Sequence, residues 1–349
     1  MRVMRQAAKI ICLLLILLSP TLSVVQETKG RFSLHHLRWA ANIEMMKGHL
    51  TASLENLRLG EEAMALVHAS HPVAEHFDLV APPLRARSPG FETRARTVLI
   101  GLQEQLDRGL QAVEYERVLA QVFDVLDQAL DVLIPPDILA EAGFQAAIIA
   151  QLCQTASQEY RVGVREGRVA TLVEYQDAFG FVQRAQILAE RLKEQIPAAV
   201  FDPLTQMARA LPSVRPPQRP VPPAKVAATA GRLAQALEAV AGRRLIAEVV
   251  PGREIGAVRD LLAQIRRAYR KGEVKRAMEL TASMYLDHFE KIEGDLIDKA
   301  PELNAKLEPV LGVKIRQLIK AQAPPGEVEA LIAEALPALA EAEAALTSR

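Results

Sequence analysis

The sequence predicts an all-α fold made of helical bundles: two related four-helix units, a middle helical block and a Pro-rich linker. Three observations lead there. Half of the 349 residues are hydrophobic but only 4% are aromatic, so the apolar mass is Ala, Leu and Val, a mixture that suits helices better than a sandwich or barrel. From Ser33 onward apolar residues recur at three and four, and β-branched runs are rare and short, as at Val249-Val250. Gly and Pro punctuate the chain at His71-Pro72, Pro82-Pro83, Pro135-Pro136, Pro251-Gly252 and Pro324-Pro325-Gly326, marking off about ten helices of ordinary length. The 42 basic residues balance the 42 acidic ones, which gives no footprint for nucleic acid.

Residues 1–25 carry Arg2, Arg5 and Lys9, then the uncharged run Ile10 to Leu18, then Ser19 and Pro20. This is the pattern of a signal peptide, and it predicts a periplasmic or otherwise extracytoplasmic protein. The apolar run is short for a membrane span, but no A-x-A cleavage site follows it, so an uncleaved N-terminal anchor is the alternative. Without Arg2, Arg5 and Lys9, 39 basic residues face 42 acidic ones, a net charge of about −3. Only Cys153 then remains, so no intramolecular disulfide can form. Its Ala/Ile/Leu surroundings predict a core residue.

Residues 31–211 are predicted to form one helical domain, with a first repeat unit over 32–134 and a middle block over 135–211. Six prolines between Pro212 and Pro223 favour extended polyproline geometry and are read as the domain linker. Residues 224–349 would hold the second repeat unit. A shift of 212 positions superposes Leu57–Pro89 on Tyr269–Pro301 with eight identities in 33 positions, among them Gly60-Glu61 on Gly272-Glu273 and His76-Phe77 on His288-Phe289. Turn signals and helix pattern agree in that register, which predicts an internal duplication.

Candidate ligands fall in three groups. Six of the seven histidines, His35, His36, His49, His68, His71 and His76, lie in the first unit. His68 and His71 share a helix face, Glu75 is one turn on, and Pro72 opens a new turn. Imidazole with carboxylate suits iron, manganese or zinc. The second group is the string acid-His-Phe-acid, present as Glu75-His76-Phe77-Asp78 and as Asp287-His288-Phe289-Glu290, with Glu293 one turn further on. Acids three apart on facing helices are how bundles build metal sites; the plain alternative is a solvated face. The third is Glu174-Tyr175-Gln176-Asp177 in the middle block, where Glu174 and Asp177 supply oxygen or else solvate a helix. There is no Gly-x-Ser-x-Gly, HExxH, Walker loop or Gly-rich dinucleotide turn, so no enzyme is predicted.

Tyr269-Arg-Lys-Gly-Glu through Ala277, Met284-Tyr285-Leu-Asp287-His-Phe289-Glu290-Lys-Ile-Glu293 and the Ala/Glu-rich end from Ala323 to Leu346 resemble the extracytoplasmic region of bacterial iron and lead permeases of the FTR1 type. Glu166-Gly167-Arg-Val, Glu174-Tyr175-Gln176-Asp177-Ala178 and His68-Ala-Ser-His71-Pro72 are similar to segments of the same region. The Arg-Glu-Gly-Leu-Glu string of the permease's membrane helices is absent; the nearest is Arg165-Glu166-Gly167-Arg168. The resemblance therefore implies the soluble module of such a system rather than the transporter. Imelysin-like periplasmic iron proteins are a second comparison, but their His-x-x-Glu step is missing.

Residues and resemblance together predict an exported metal-handling protein that presents iron, or another divalent cation such as lead, to an FTR1-type membrane permease. Its ligands would come from His68, His71, Glu75, His76, Asp78, Glu174, Asp177, Asp287, His288, Glu290 and Glu293. The alternative is a structural or interaction protein of the envelope: two helical modules on a stiff tether, with no metal site.

Overall fold

The computed structural model describes residues 32–245 and 249–347. The segment 1–25, read as a signal peptide, lies outside them. Apart from a small hairpin pairing Val164–Arg165 with Arg168–Val169, the described elements are all helical.

Helix α1 (Leu34–Arg58) is capped by Ser33, whose hydroxyl accepts the His36 N–H. Every residue from Ala40 to Leu50 is buried, so this helix is a central strut rather than an amphipathic surface element. Four of those residues are polar and need partners. On one side Lys47 donates to Glu44 and Asp127, and Arg184 closes on Glu44 at 2.7 Å. On the other, Asn42 and His49 face the candidate site.

Helix α2 (Glu62–His71) runs through a π turn, Pro72–His76, into α3 (Phe77–Arg87). Pro72 has no N–H and its ring clashes with the carbonyl four residues back, so the turn widens, and the Phe77 N–H reaches Pro72 O. Helices α4 (Pro89–Asp107) and α5 (Ala112–Leu133) complete the first unit around α1.

After the short α6 (Pro136–Leu139) come α7 (Ala142–Gly163), α8 (Leu172–Arg191), α9 (Phe201–Ala210) and α10 (Pro223–Ala241). These four pack in a closed ring, α7 on α8, α8 on α9, α9 on α10 and α10 back on α7. The Pro-rich segment is therefore not a domain linker. It straps α9 to α10 within one bundle, burying Leu211, Val214 and Pro220. A proline-rich backbone lacks donors but keeps its carbonyls, and two of them accept from buried side chains: Val221 O from the Tyr160 hydroxyl at 2.9 Å and Val214 O from Gln176 Nε2 at 2.9 Å. The hydrophobic core of the first body runs through Leu237 in α10, and that of the second begins at Ile255. The boundary thus falls after Ala241, and α10 belongs with the middle block.

Helices α1 and α8 touch backbone to backbone. A Cβ on Gly180 would stand 2.3 Å from Gly48 O, and one on Gly48 would stand 2.7 Å from the Phe181 ring. That crossing brings His49, next to Gly48, against Asp177, almost one turn before Gly180.

The C-terminal unit consists of α11 (Pro251–Arg270), α12 (Val274–Met284), a π turn Tyr285–Phe289, α13 (Glu290–Lys299), α14 (Pro301–Glu308), a π turn Pro309–Lys314, α15 (Ile315–Lys320) and α16 (Pro325–Thr347). At an offset of 212 its turns fall on those of the first unit. Gly60 and Gly272 both take left-handed φ, 76° and 74°, which glycine adopts without a Cβ penalty. Glu61 N–H reaches Asn56 O at 2.9 Å, and Glu273 N–H reaches Ala268 O at 3.0 Å. The unit docks through α12 on α3 and α13 on α7, placing both bodies around one cavity. Among the described residues no helix is long and apolar enough to cross a membrane.

Candidate metal centre

Four imidazoles and a carboxylate meet where α1, α2, the first π turn and α8 converge. Asp177 meets two imidazoles, with Oδ1 2.6 Å from His49 Nδ1 and 2.9 Å from His68 Nδ1. His71 Nδ1 lies 3.2 Å from His49 Nδ1 and 3.5 Å from Asp177 Oδ2. One donor atom each from His49, His68, His71 and Asp177 lies within 4.8 Å of the others. On the opposite edge of the His49 ring, Nε2 stands 2.8 Å from His76 Nε2 and 3.8 Å from Glu75 Oε2. His49, Glu75 and His76 make a second such group.

Two histidines are held from behind by amides. Gln176 Nε2 donates to Val214 O, which fixes its Oε1 as an acceptor, and His68 Nε2 donates to it at 2.7 Å. Asn42 Nδ2 donates to Arg38 O, so Asn42 Oδ1 accepts from His76 Nδ1 at 2.8 Å. In the neutral ring each bond leaves the other nitrogen with its lone pair directed into the cluster, the arrangement outer-shell partners give to metal-binding imidazoles. Two lone-pair atoms at 2.8–2.9 Å need a proton or a cation between them.

Next to the imidazoles is a cavity of about 100 Å³ lined by carboxylates from three parts of the chain: Glu159 of α7, Glu174 and Asp177 of α8, and Glu290 and Glu293 of α13, with Tyr285 and Glu75. It adjoins a space of about 270 Å³ between the two π turns of the C-terminal unit, and a groove of about 1190 Å³ beyond. Glu75 lines all three, and its side chain is 36% exposed where the His49 side chain is 2% exposed. Among the described residues it is the one carboxylate that reaches from the outer groove to the imidazoles.

Much of this lining comes from the α7–α10 bundle. Residues 135–244 match the family of the iron permease-associated 4-helix bundle domain. Neither a curated protein nor a solved structure matches the chain. The family match bears out the FTR1-type resemblance in the sequence, and its limits coincide with the ring α7–α10 rather than with a boundary at Pro212.

Around the cavity the acids carry unequal loads. Burial acts to raise the pKa of Asp177, but His49, His71 and His68 outweigh it and hold the carboxyl well below the usual range. Burial raises Glu174, and the neighbouring Asp177 adds to it, reaching about 8. Glu293 of the C-terminal unit is raised to about 7 by burial and by Glu308. Glu159 is pushed well up by burial and then by Glu290, and Glu290 is pushed well up by burial and then by Glu293 and Glu75. Burial opposes a charge on His71, yet Glu75 and Asp177 bring it to about 10. His76 is driven well down by burial and then by His49 and His71. Such a site holds protons that a cation would displace.

Of the residues predicted from sequence, His71, Glu75, His76, Glu174, Asp177, Glu290 and Glu293 line this cavity, and His68 joins the imidazole cluster beside it. Three do neither. Asp78 is turned away and held by Arg96 at 2.8 Å and Arg316 at 2.7 Å. Asp287 is paired with Arg38 and accepts from Ser283. His288 Nδ1 bonds Glu254 at 2.8 Å. All three already have partners of opposite charge or hydrogen-bonding character, and this takes them out of the candidate set. His49, by contrast, belongs to both donor groups, although no helical spacing ties it to another histidine; the close Gly48–Gly180 crossing was its signal. Glu159 and Tyr285 also come into view only in three dimensions. Cys153 is fully buried and its thiol is raised to about 12 by burial, as fits a core residue.

Proposed function

We propose that the protein binds iron, or another divalent cation such as lead, at the cluster of His49, His68, His71 and Asp177, and serves an FTR1-type membrane permease. The observation that carries this reading is the set of three imidazoles and one carboxylate whose donor atoms lie within 4.8 Å of one another in a buried site. Borderline divalent ions take such a mixed nitrogen and oxygen set. A buried cluster of unbalanced acids is costly without a cation, and the carboxyls raised by their neighbours supply the complementary charge. The iron permease-associated bundle at residues 135–244 supports the link to a permease and to iron.

The role proposed is capture and presentation, not catalysis. Export by residues 1–25 belongs to the same reading, since a periplasmic carrier meets its permease from outside the cytoplasm. A duplication is part of it too: the 212-residue register of turns supports an origin of both flanking units from one four-helix ancestor, with histidines concentrated in the first and Glu290 and Glu293 contributed by the second.

Equilibrium dialysis of the purified protein against Fe(II) without oxygen, and against Zn(II), Mn(II) and Pb(II), tests the proposal by metal analysis. Retention of ion at micromolar free metal is expected, with loss on His68→Ala plus His71→Ala. No retained ion for any of the four metals refutes it.

A further inference from the structure

We infer that the site is built for two ions, with the His49 ring lying between them as a shared ligand. This deepens the proposed function and rests on it. His49 is the one residue common to both donor groups, and it uses a different ring nitrogen in each: Nδ1 beside Asp177 and His71, at 2.6 and 3.2 Å, and Nε2 beside His76 and Glu75, at 2.8 and 3.8 Å.

The support behind the rings points the same way. His68 and His76 each have one nitrogen engaged by an amide outside the cluster, Gln176 and Asn42, and offer one to the interior. No such partner stands behind His49: its hydrogen bonds all go to His71, His76 and Asp177. A terminal ligand is normally oriented by an outer partner on its second nitrogen; a bridging ligand has no second nitrogen to spare.

Spacing and charge agree. Donor atoms sharing one ion at bonds of about 2.1 Å stand roughly 3.0–3.4 Å apart, from octahedral to tetrahedral geometry. The contacts on the Nδ1 side, 2.6 to 3.5 Å, and the His49–His76 contact of 2.8 Å fall around that range, and Glu75 at 3.8 Å needs only a small closing movement. The cavity of about 100 Å³ has room for a second ion with water. When the second ion binds, the remaining N–H proton of His49 leaves to solvent and the ring becomes an imidazolate with one nitrogen on each metal.

The test is Zn(II) stoichiometry by equilibrium dialysis and metal analysis, followed by electron paramagnetic resonance of the Cu(II)-loaded protein. Two Zn(II) per chain are expected, and Cu(II) pairs coupled through the imidazolate, losing most of their low-temperature signal relative to total copper. Glu75→Gln with His76→Ala should bind one Zn(II), and its copper should regain full signal. The copper measurement on the unaltered protein needs no variant to fold. One Zn(II) per chain in the unaltered protein overturns the second ion while leaving the proposed function standing. Two ions with uncoupled copper, or a Glu75/His76 variant that still binds two, overturn the bridge. No Zn(II) and no Cu(II) at all overturns the inference, and the reading beneath it falls as well if Fe(II), Mn(II) and Pb(II) are not retained either.

Discussion

Glu75-His76-Phe77-Asp78 and Asp287-His288-Phe289-Glu290 both occupy a π turn and the start of the next helix, yet their polar residues meet different neighbours. Phe77 and Phe289 are both fully buried and anchor their turns in the same way. In the first string Glu75 and His76 enter the cavity and Asp78 goes to Arg96 and Arg316. In the second the pattern is reversed: Glu290 enters, while Asp287 and His288 are taken by Arg38 and Glu254. The apolar anchor sets the local backbone, and the packing partner decides which side chains do chemistry. The first unit supplies nitrogen and the Glu75 carboxylate to the cavity, and the second supplies oxygen alone.

The sharpest contrast is between the two buried acids of the first unit and its neighbouring bundle. Asp177→Ala leaves three imidazoles without their shared carboxylate; we expect loss of detectable cation binding and about 3–5 kcal/mol of stability, read by dialysis and by urea unfolding. Asp78→Ala should cost about 1.5–3 kcal/mol for its charged hydrogen bonds and leave dialysis unchanged. Equal loss of metal from both would erase the distinction drawn between them.

Gly180→Ala tests how the site is assembled. Its new methyl has nowhere to go against the Gly48 carbonyl, so α1 and α8 must separate, at about 1–3 kcal/mol. Cation affinity should fall with stability because His49 then withdraws from Asp177. Gly231→Ala, in open space on α10, should leave both alone.

A smaller effect separates the two strings directly. Glu75→Gln with His76→Ala should lower bound Zn(II) from two per chain to one, whereas Asp287→Asn with His288→Ala should keep both and cost no more than about 1 kcal/mol, because Asp287, His288 and Arg38 are part-exposed and buried Glu254 keeps Arg253. Isothermal titration with Zn(II) compares them.

The mildest test is pH. Glu174 and Glu293 titrate in the fold at about 8 and 7, above their unfolded values, so the folded state holds its protons more tightly and stability falls as pH rises from about 4.5. His71, raised to about 10, contributes stability that is complete below its unfolded value and is lost as pH rises toward 10. His76, lowered, works in the opposite sense: its contribution is missing at low pH and returns as pH rises through the unfolded value. With the acids and His71 outweighing one histidine, the metal-free protein should melt lower at pH 9 than at pH 5, and bound cation should narrow or reverse the gap. Melting curves that rise toward pH 9 without metal would contradict this balance.

Much of the fold was legible because helices announce themselves locally. Apolar spacing, Gly60 and Gly272 at the helix ends, and Pro72 at a turn are all short-range signals. The Pro-rich segment misled because proline composition reports only the missing N–H groups; which buried donors its carbonyls would meet, Tyr160 and Gln176, depends on packing. The site was half legible. His68, His71, Glu75 and His76 lie close in sequence, but their carboxylate Asp177 is 109 residues from His68 and arrives only because α8 can touch α1 at a glycine pair. Asp78, Asp287 and His288 looked equivalent to the convergent residues, and no sequence spacing reveals the arginines or the glutamate that claim them.

Crystals of the protein soaked with Zn(II) and measured at the zinc absorption edge would locate the ion itself. An anomalous peak among His49, His68, His71 and Asp177, absent in Asp177→Ala, is the result predicted. An ordered ion elsewhere, with that cluster empty and its imidazoles still bonded to Asp177, would contradict the assignment of this cluster as the metal centre.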